Sequence, residues 1–181
     1  MLNIATSSLA DVTLEDTDKP GFRRYIKRTP LGVVLIIAPW KSVALWFSKS
    51  SAYQISSFPY LVSVNSVLPA IIAGNAVLLK PSPQTPLTAE RFALALKRAG
   101  VPHDVIQVVH LSPQLTNHAI NNPSVAFVSF TGSVAGGRSV AKTATTGDGF
   151  TGVALEVQSL VSIGYSLLTF FQAWWKGSGI C

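Results

Sequence analysis

Cysteine is almost absent, the one thiol being the last residue, Cys181. A single cysteine excludes a disulfide framework and any cysteine-rich zinc site. Charge is scarce as well: Asp, Glu, Lys and Arg make up 12% of the chain, about half the ~25% of an average soluble domain. The chain is therefore short of solvated surface. Such a deficit points to a part of something larger, to a membrane-embedded stretch, or to translated sequence never selected as soluble protein. Histidine is confined to His103, His110 and His118, isolated positions that read as surface or loop residues, and no metal site is expected. No charged-then-apolar leader opens the chain, because residues 1–30 are polar and carry both signs.

What the chain does have is apolar material. Hydrophobic residues make up 48% of 181 positions, a one-domain length with enough for a sizeable core, which rules out intrinsic disorder. Mean hydropathy is +0.39. The net charge of +6 would suit a nucleic-acid binder if the basic residues clustered. Arg23, Arg24, Lys27 and Arg28 form the densest group and the others are scattered, so no nucleic-acid partner is expected.

Apolar runs of strand length alternate with stretches of helical period. Strands are expected at 32–38, 76–79, 105–109, 125–130 and 153–155, and helices at 65–73, 88–99, 115–121 and 133–145. The run at 32–38, β-branched and closed by Pro39, reads as a strand buried on both faces. This alternation predicts an α/β fold, a Rossmann-like doubly wound parallel sheet, preceded by a polar N-terminal segment at 1–28. Two stretches break the rhythm. Residues 41–57 are serine-rich without clear period, and 157–181 form an apolar tail. Val157 to Trp175 carries no charge over nineteen residues, about a bilayer's span. Seven of these are Gln, Ser, Thr or Gly, so a tail or core helix is preferred to a membrane anchor, with cytoplasmic placement the expectation.

Three places could carry chemistry. Phe130-Thr-Gly-Ser133 ends a strand and opens a helix, where backbone N–H groups favour phosphate. Gly132 would permit close approach, and Ser133 either caps the helix or bonds a phosphate oxygen. Lys80 and Ser82 follow the second strand, at the edge where open α/β sheets bind ligands, although a strand-end lysine is also commonly just solvated. Glu156 closes the last strand, as a general base or simply as an exposed acid.

Taken together, Thr29-Pro-Leu-Gly-Val-Val-Leu-Ile-Ile-Ala-Pro-Trp40, Leu68-Pro-Ala-Ile-Ile-Ala-Gly-Asn-Ala-Val-Leu-Leu-Lys-Pro-Ser82, Gln84-Thr-Pro-Leu87, Phe130-Thr-Gly-Ser133 and Leu155-Glu156 resemble, in order, the cofactor-binding domain of the aldehyde dehydrogenase superfamily. The resemblance covers 29–156 apart from the break at 41–57. It implies oxidation of an aldehyde substrate to an acid with NAD or NADP, through a cysteine nucleophile, hydride transfer and a glutamate that activates water. Carried over, Ile37, Ala38, Pro39 and Trp40 would line the cofactor cleft, with Trp40 towards the substrate tunnel. Lys80 would hold the adenosine ribose with Ser82 beside it, Gly132 and Ser133 the pyrophosphate, and Glu156 would be the general base. Pro83 stands where many NAD-preferring members carry a glutamate, which leaves NADP open.

The departures are equally specific. The family's asparagine after proline-tryptophan, an oxyanion donor, is replaced by Lys41. The Leu-Gly-Gly and Gly-Gln-x-Cys motifs expected after Leu-Glu are missing, and nothing adjacent to Cys181 would lower its pKa. The catalytic domain and the oligomerisation hairpin have no counterpart, so the fold is incomplete and an oligomer is not expected. Two readings follow. One is an interrupted aldehyde dehydrogenase that does not turn over. The other is a non-catalytic nucleotide-binding or regulatory fragment, in one version tail-anchored in a membrane.

Both interruptions have the form of translated introns. Lys41 as AAG, Ser42 as TCN and Val43 as GTN contain a splice donor after AA, and Ser57 as AGY supplies an acceptor. Excision would join AA to the last base of Ser57 and restore an asparagine codon between Trp40 and Phe58. Sequencing the gene and its messenger should show TCN at Ser42 and a spliced transcript. An AGY codon there, or transcripts that all retain both segments, refutes this origin.

Overall fold

The computed structural model describes residues 2–14, 21, 24–38, 58–147, 149 and 151–157. Pro39, Trp40, the 41–57 break and the tail beyond Val157 with Cys181 lie outside the described residues. After a helix α1 (Leu2–Leu9), strands β1 (Val12–Leu14) and β2 (Arg24–Ile26) pair antiparallel as a separate ribbon. The remaining elements alternate: β3 (Val33–Ile37), α2 (Phe58–Ile72), β4 (Ala76–Lys80), α3 (Pro86–Arg98), β5 (Ile106–Val108), α4 (Pro113–Ile120), β6 (Val125–Gly132), α5 (Val134–Thr146) and β7 (Gly152–Val157). A single 3-10 turn at His103–Val105 leads into β5.

The five strands β3 to β7 form one parallel sheet in the order β5-β4-β3-β6-β7. Parallel strands need crossovers that lay helices on the sheet faces, and here both faces are covered. Val34, Ile36, Val77, Leu79 and Ile106 meet Val67 and Ala70 of α2 and Ala89 and Ala93 of α3. On the other face, Leu35, Ile37, Val128 and Phe130 meet Ile120 of α4 and Val140 and Ala144 of α5. This is the doubly wound α/β architecture expected from the alternation.

Several boundaries differ from expectation, each for a local reason. The segment at 1–28 is polar in composition, yet it carries α1 and the ribbon. Its strands are three residues long and fully exposed, so no buried face imprints a period on the sequence. Helix α2 begins at Phe58 rather than 65, directly after the break without clear period, and Pro69, inside both the expected and the observed span, does not end it. Helix α3 begins at Pro86 and not Thr88, since proline's fixed φ and missing N–H suit the first helical position. Strand β7 runs through Val157, which pairs with Gly132, so the sheet claims the first residue assigned to the tail. Among the described residues no helix is long and apolar enough to cross a membrane.

One buried polar residue ties α2 to the sheet. Gly74, at φ +84°, ends α2 in the left-handed region, and a Cβ there would lie 2.9 Å from Pro30. Next to it Asn75, 2% exposed, accepts from the Leu31 and Gly32 amides at 2.7 and 3.1 Å and donates to the Ala70 carbonyl at 3.1 Å. Its side chain thus sets where β3 starts. Asn75→Ala should lower unfolding free energy by about 2 kcal/mol, because two backbone donors lose their acceptor. A denaturant midpoint unchanged within error would contradict this role.

Candidate functional site

All five strands run the same way, so their carboxyl ends share one edge. The chain adds β4 and β5 on one side of β3, then returns to add β6 and β7 on the other. The order of strands therefore reverses between β3 and β6, and open α/β sheets bind ligands in the crevice outside such a point. Ile37 and Ala38 end β3 there, both buried, and the Ala38 amide donates to the Lys80 carbonyl at 3.0 Å. Gly132 and Ser133 leave β6 on the opposite side. The structure thus gathers Ile37, Ala38, Lys80, Gly132, Ser133 and Glu156 along one edge, while Pro39 and Trp40 lie outside the described residues.

Ser133 is the N-cap of α5, accepting the Gly136 amide at 3.1 Å. The cap uses the oxygen's lone pair and leaves the exposed hydroxyl hydrogen free to donate, so capping and anion binding are compatible. Gly132 has a packing reason of its own. A Cβ on it would sit 2.7 Å from the Phe130 ring, and one on Gly136 would meet the same ring at 2.7 Å. Phe130 lies under the first turn of α5, and the glycines let that turn settle onto it.

Lys80 ends β4 only 9% exposed, with Ser82 just beyond at 8%. Its register partner is Ile37, which belongs to the core on the α4 and α5 face. Lys80 therefore shares a sheet face with the start of α5. Its Nζ donates to the Pro81 carbonyl at 3.3 Å, and burial pushes its pKa below the ordinary value near 10.5. Ser82 closes the following turn, its oxygens accepting the Gln84 and Thr85 amides at 3.4 and 3.0 Å.

Glu156 lies on the opposite face, opposite Thr131 in the parallel register. Thr131, 5% exposed, donates its hydroxyl to Glu156 Oε2 at 3.3 Å. Two residues earlier Ser129 shares a buried hydrogen bond of 3.2 Å with Ser66 of α2. A row of small hydroxyls thus runs up β6 to the carboxylate. The sequence reading passed over Thr131 as a role-bearing residue. Strand parity was the available signal, because alternate residues of paired parallel strands share a face. Among the described residues no group of three His, Cys, Asp or Glu side chains could hold a metal ion.

The profile of the Aldehyde dehydrogenase family matches residues 2–160. The chain belongs to this family. It is 35% identical over 124 residues to a probable betaine aldehyde dehydrogenase of Schizosaccharomyces pombe, a match covering 68% of this chain and 22% of that protein. Among solved structures it is similar to succinic semialdehyde dehydrogenase from Streptococcus pyogenes in complex with NADP+, with TM-score 0.69 and 25% identity over 86% of this chain and 30% of that one. An NAD-dependent benzaldehyde dehydrogenase from Corynebacterium glutamicum gives TM-score 0.69 and 31% identity over 83% and 29%. The chain spans under a third of each of these aldehyde dehydrogenases. The family match also takes in the N-terminal helix and ribbon, ahead of where the motif resemblance begins.

Because the Lys80 ammonium is disfavoured in the folded state, the unfolded chain holds more protons between the lowered pKa and about 10.5. Stability from this group is present above that window and lost as pH falls through the lowered value. Unfolding free energy should therefore gain a rise with pH in the alkaline range that is missing in Lys80→Met, and the variant should be the more stable protein near neutrality. Identical pH–stability curves for the two proteins would show that the ammonium is not desolvated.

Proposed function

We propose that this chain is the dinucleotide-binding portion of an aldehyde dehydrogenase, and that alone it holds NAD or NADP without oxidising aldehyde. The carrying observation is the switch point between β3 and β6, with an amide-rich helix start at Ser133 on one side and the Lys80 ammonium on the other. The residues fit the group. Ser133 keeps a free donor for a pyrophosphate oxygen, and Lys80, at the end of β4, has donors for the adenosine ribose. Ile37 and Ala38 supply an apolar wall, and Ser82 shapes the turn beyond Lys80. The solved relatives named with NADP+ and as NAD-dependent support the same cofactor class.

In this reading residues 29–156 are the cofactor-binding unit, interrupted at 41–57 and entered from the N-terminal segment. The bound cofactor would supply the hydride acceptor for aldehyde oxidation. Glu156, steadied by Thr131, is placed to take a proton from water at Oε2. Two groups the reaction needs are not supplied by the sequence. Lys41 replaces the oxyanion amide, and Cys181 lacks the nucleophile's motif. Loss of a nucleophile alone costs about a millionfold in rate.

The purified full chain should bind NAD or NADP and produce no reduced nicotinamide with any of a panel of aliphatic and aromatic aldehydes. Steady aldehyde-dependent turnover abolished by Cys181→Ser would overturn the inactivity. Failure of both dinucleotides to bind would overturn the assignment of the site.

A further inference from the structure

Parallel strands normally have both faces covered, because the crossover helices lie on the sheet. Strand β7 departs from this. It ends the order β5-β4-β3-β6-β7, and none of its six residues is buried, whereas four of the five in β3 are. Leu155 and Val157 are 39% and 41% exposed, and being two positions apart they share one face of the strand. Val157 lies against α5, since a Cβ on Gly137 would come within 2.6 Å of its Cγ1. One helical turn before Gly137, Val134 is exposed as well, at 40%. The three side chains form an apolar flank along the outer edge of the sheet.

An edge strand also presents backbone groups that invite another segment, and proteins blunt such edges with charge, proline or a bulge. Strand β7 reads Gly-Val-Ala-Leu-Glu-Val. It has no proline, and its one charged side chain, Glu156, is engaged by Thr131. What covers the flank is decided by what is nearest to it. Twenty-four residues, 158–181, follow directly on Val157, and the first eighteen of them, through Trp175, carry no charge. A six-residue strand is about 20 Å long, and twenty-four residues reach ~80 Å when extended, so this segment can return along the whole edge. Being covalently attached, it acts at an effective concentration on the order of millimolar, far above that of a second chain in dilute solution. Its Leu160, Val161, Ile163, Phe170 and Phe171 suit an apolar flank and bring no charge into it.

We propose that residues 158–175 dock in cis on the outer flank of β7 and cover Val134, Leu155 and Val157. The tail then serves as the missing cover of the sheet, starting where the motif resemblance stops. A tail spent on the sheet is not available to a bilayer.

Cys181 is the chain's only thiol, so a nitroxide attached to it reports where the end of the tail lies. In the full chain, with methyl groups isotope-labelled, the Val134, Leu155 and Val157 signals should lose more than half their intensity. Leu94, exposed on α3 at the opposite sheet face, should keep its own. Mixing unlabelled nitroxide-bearing protein with isotope-labelled protein lacking the nitroxide isolates contacts between molecules, and the losses should then disappear. Leu155→Lys, which puts a charge into the flank, should restore the Val134 and Val157 signals. Losses as strong in the mixed sample assign the flank to a second copy and overturn the proposal. Equal losses at Leu94 and Val157, or none at either, overturn it as well. Sedimentation of the chain with phosphatidylcholine vesicles, with the Val157 signal recovered, overturns it in favour of a lipid surface. Should Leu155→Lys fail to fold, the single and mixed samples of the unaltered chain decide the question.

Discussion

Strand β3 is the constraint on which the other elements depend. It lies between β4 and β6 with parallel partners on both sides, so its backbone groups are consumed in the ladder. Its side chains are divided between two cores, Val34 and Ile36 to one, Leu35 and Ile37 to the other. Leu35 is completely buried, a side chain whose removal from water contributes about 2 kcal/mol. A strand with no solvent-facing side favours apolar residues throughout, because a buried polar side chain there must find a partner within the protein. That is why 33–37 is a continuous apolar run, and why helices must arrive on both faces. The Asn75 clamp on Leu31 and Gly32 then fixes where that strand begins and how α2 hands the chain to β4.

The same topology brings the candidate site residues together. Because each of β3 to β6 is followed by a helix on one face or the other, helix N-termini collect at the carboxyl edge. The order of strands reverses between β3 and β6, the position at which open α/β sheets bind ligands. Lys80 reaches that edge on the α5 face, and Glu156 on the face of α2. The two charges are kept apart by the sheet itself, so each is governed by its own surroundings. The lysine is desolvated beside a carbonyl, and the carboxylate is held by a threonine hydroxyl.

The α/β class was legible because burial on both faces leaves a signature in composition: short β-branched runs, closed by proline or glycine, alternating with amphipathic stretches. Candidate site residues stood out where a residue type is unusual for its position, as with Lys80 at the end of an apolar strand or Gly132 before a capping serine. The N-terminal helix and ribbon were not legible. Their strands are exposed along their whole length, so no alternation marks them. Helix α2 was read short at its start, where 58–64 adjoins the break without clear period, and Pro69 within it does not interrupt it: the Ala73 amide donates to the Pro69 carbonyl at 3.0 Å.

By itself the sequence determined which segments are buried, their order, and the family to which their motifs belong, since hydrophobic period and turn residues are local properties. It also determined that Lys41 stands where an asparagine is expected and that the chain's only thiol is Cys181. Tertiary structure alone decided which residues face one another. Thr131 and Glu156 are 25 positions apart and meet through parallel register. Phe130 underlies the glycines of α5 because strand and helix pack. Lys80 becomes a cation without a carboxylate partner among the described residues only once the sheet has buried it and each described acid has found its place. Register, face and counter-charge are relations between distant segments, and no local pattern encodes them.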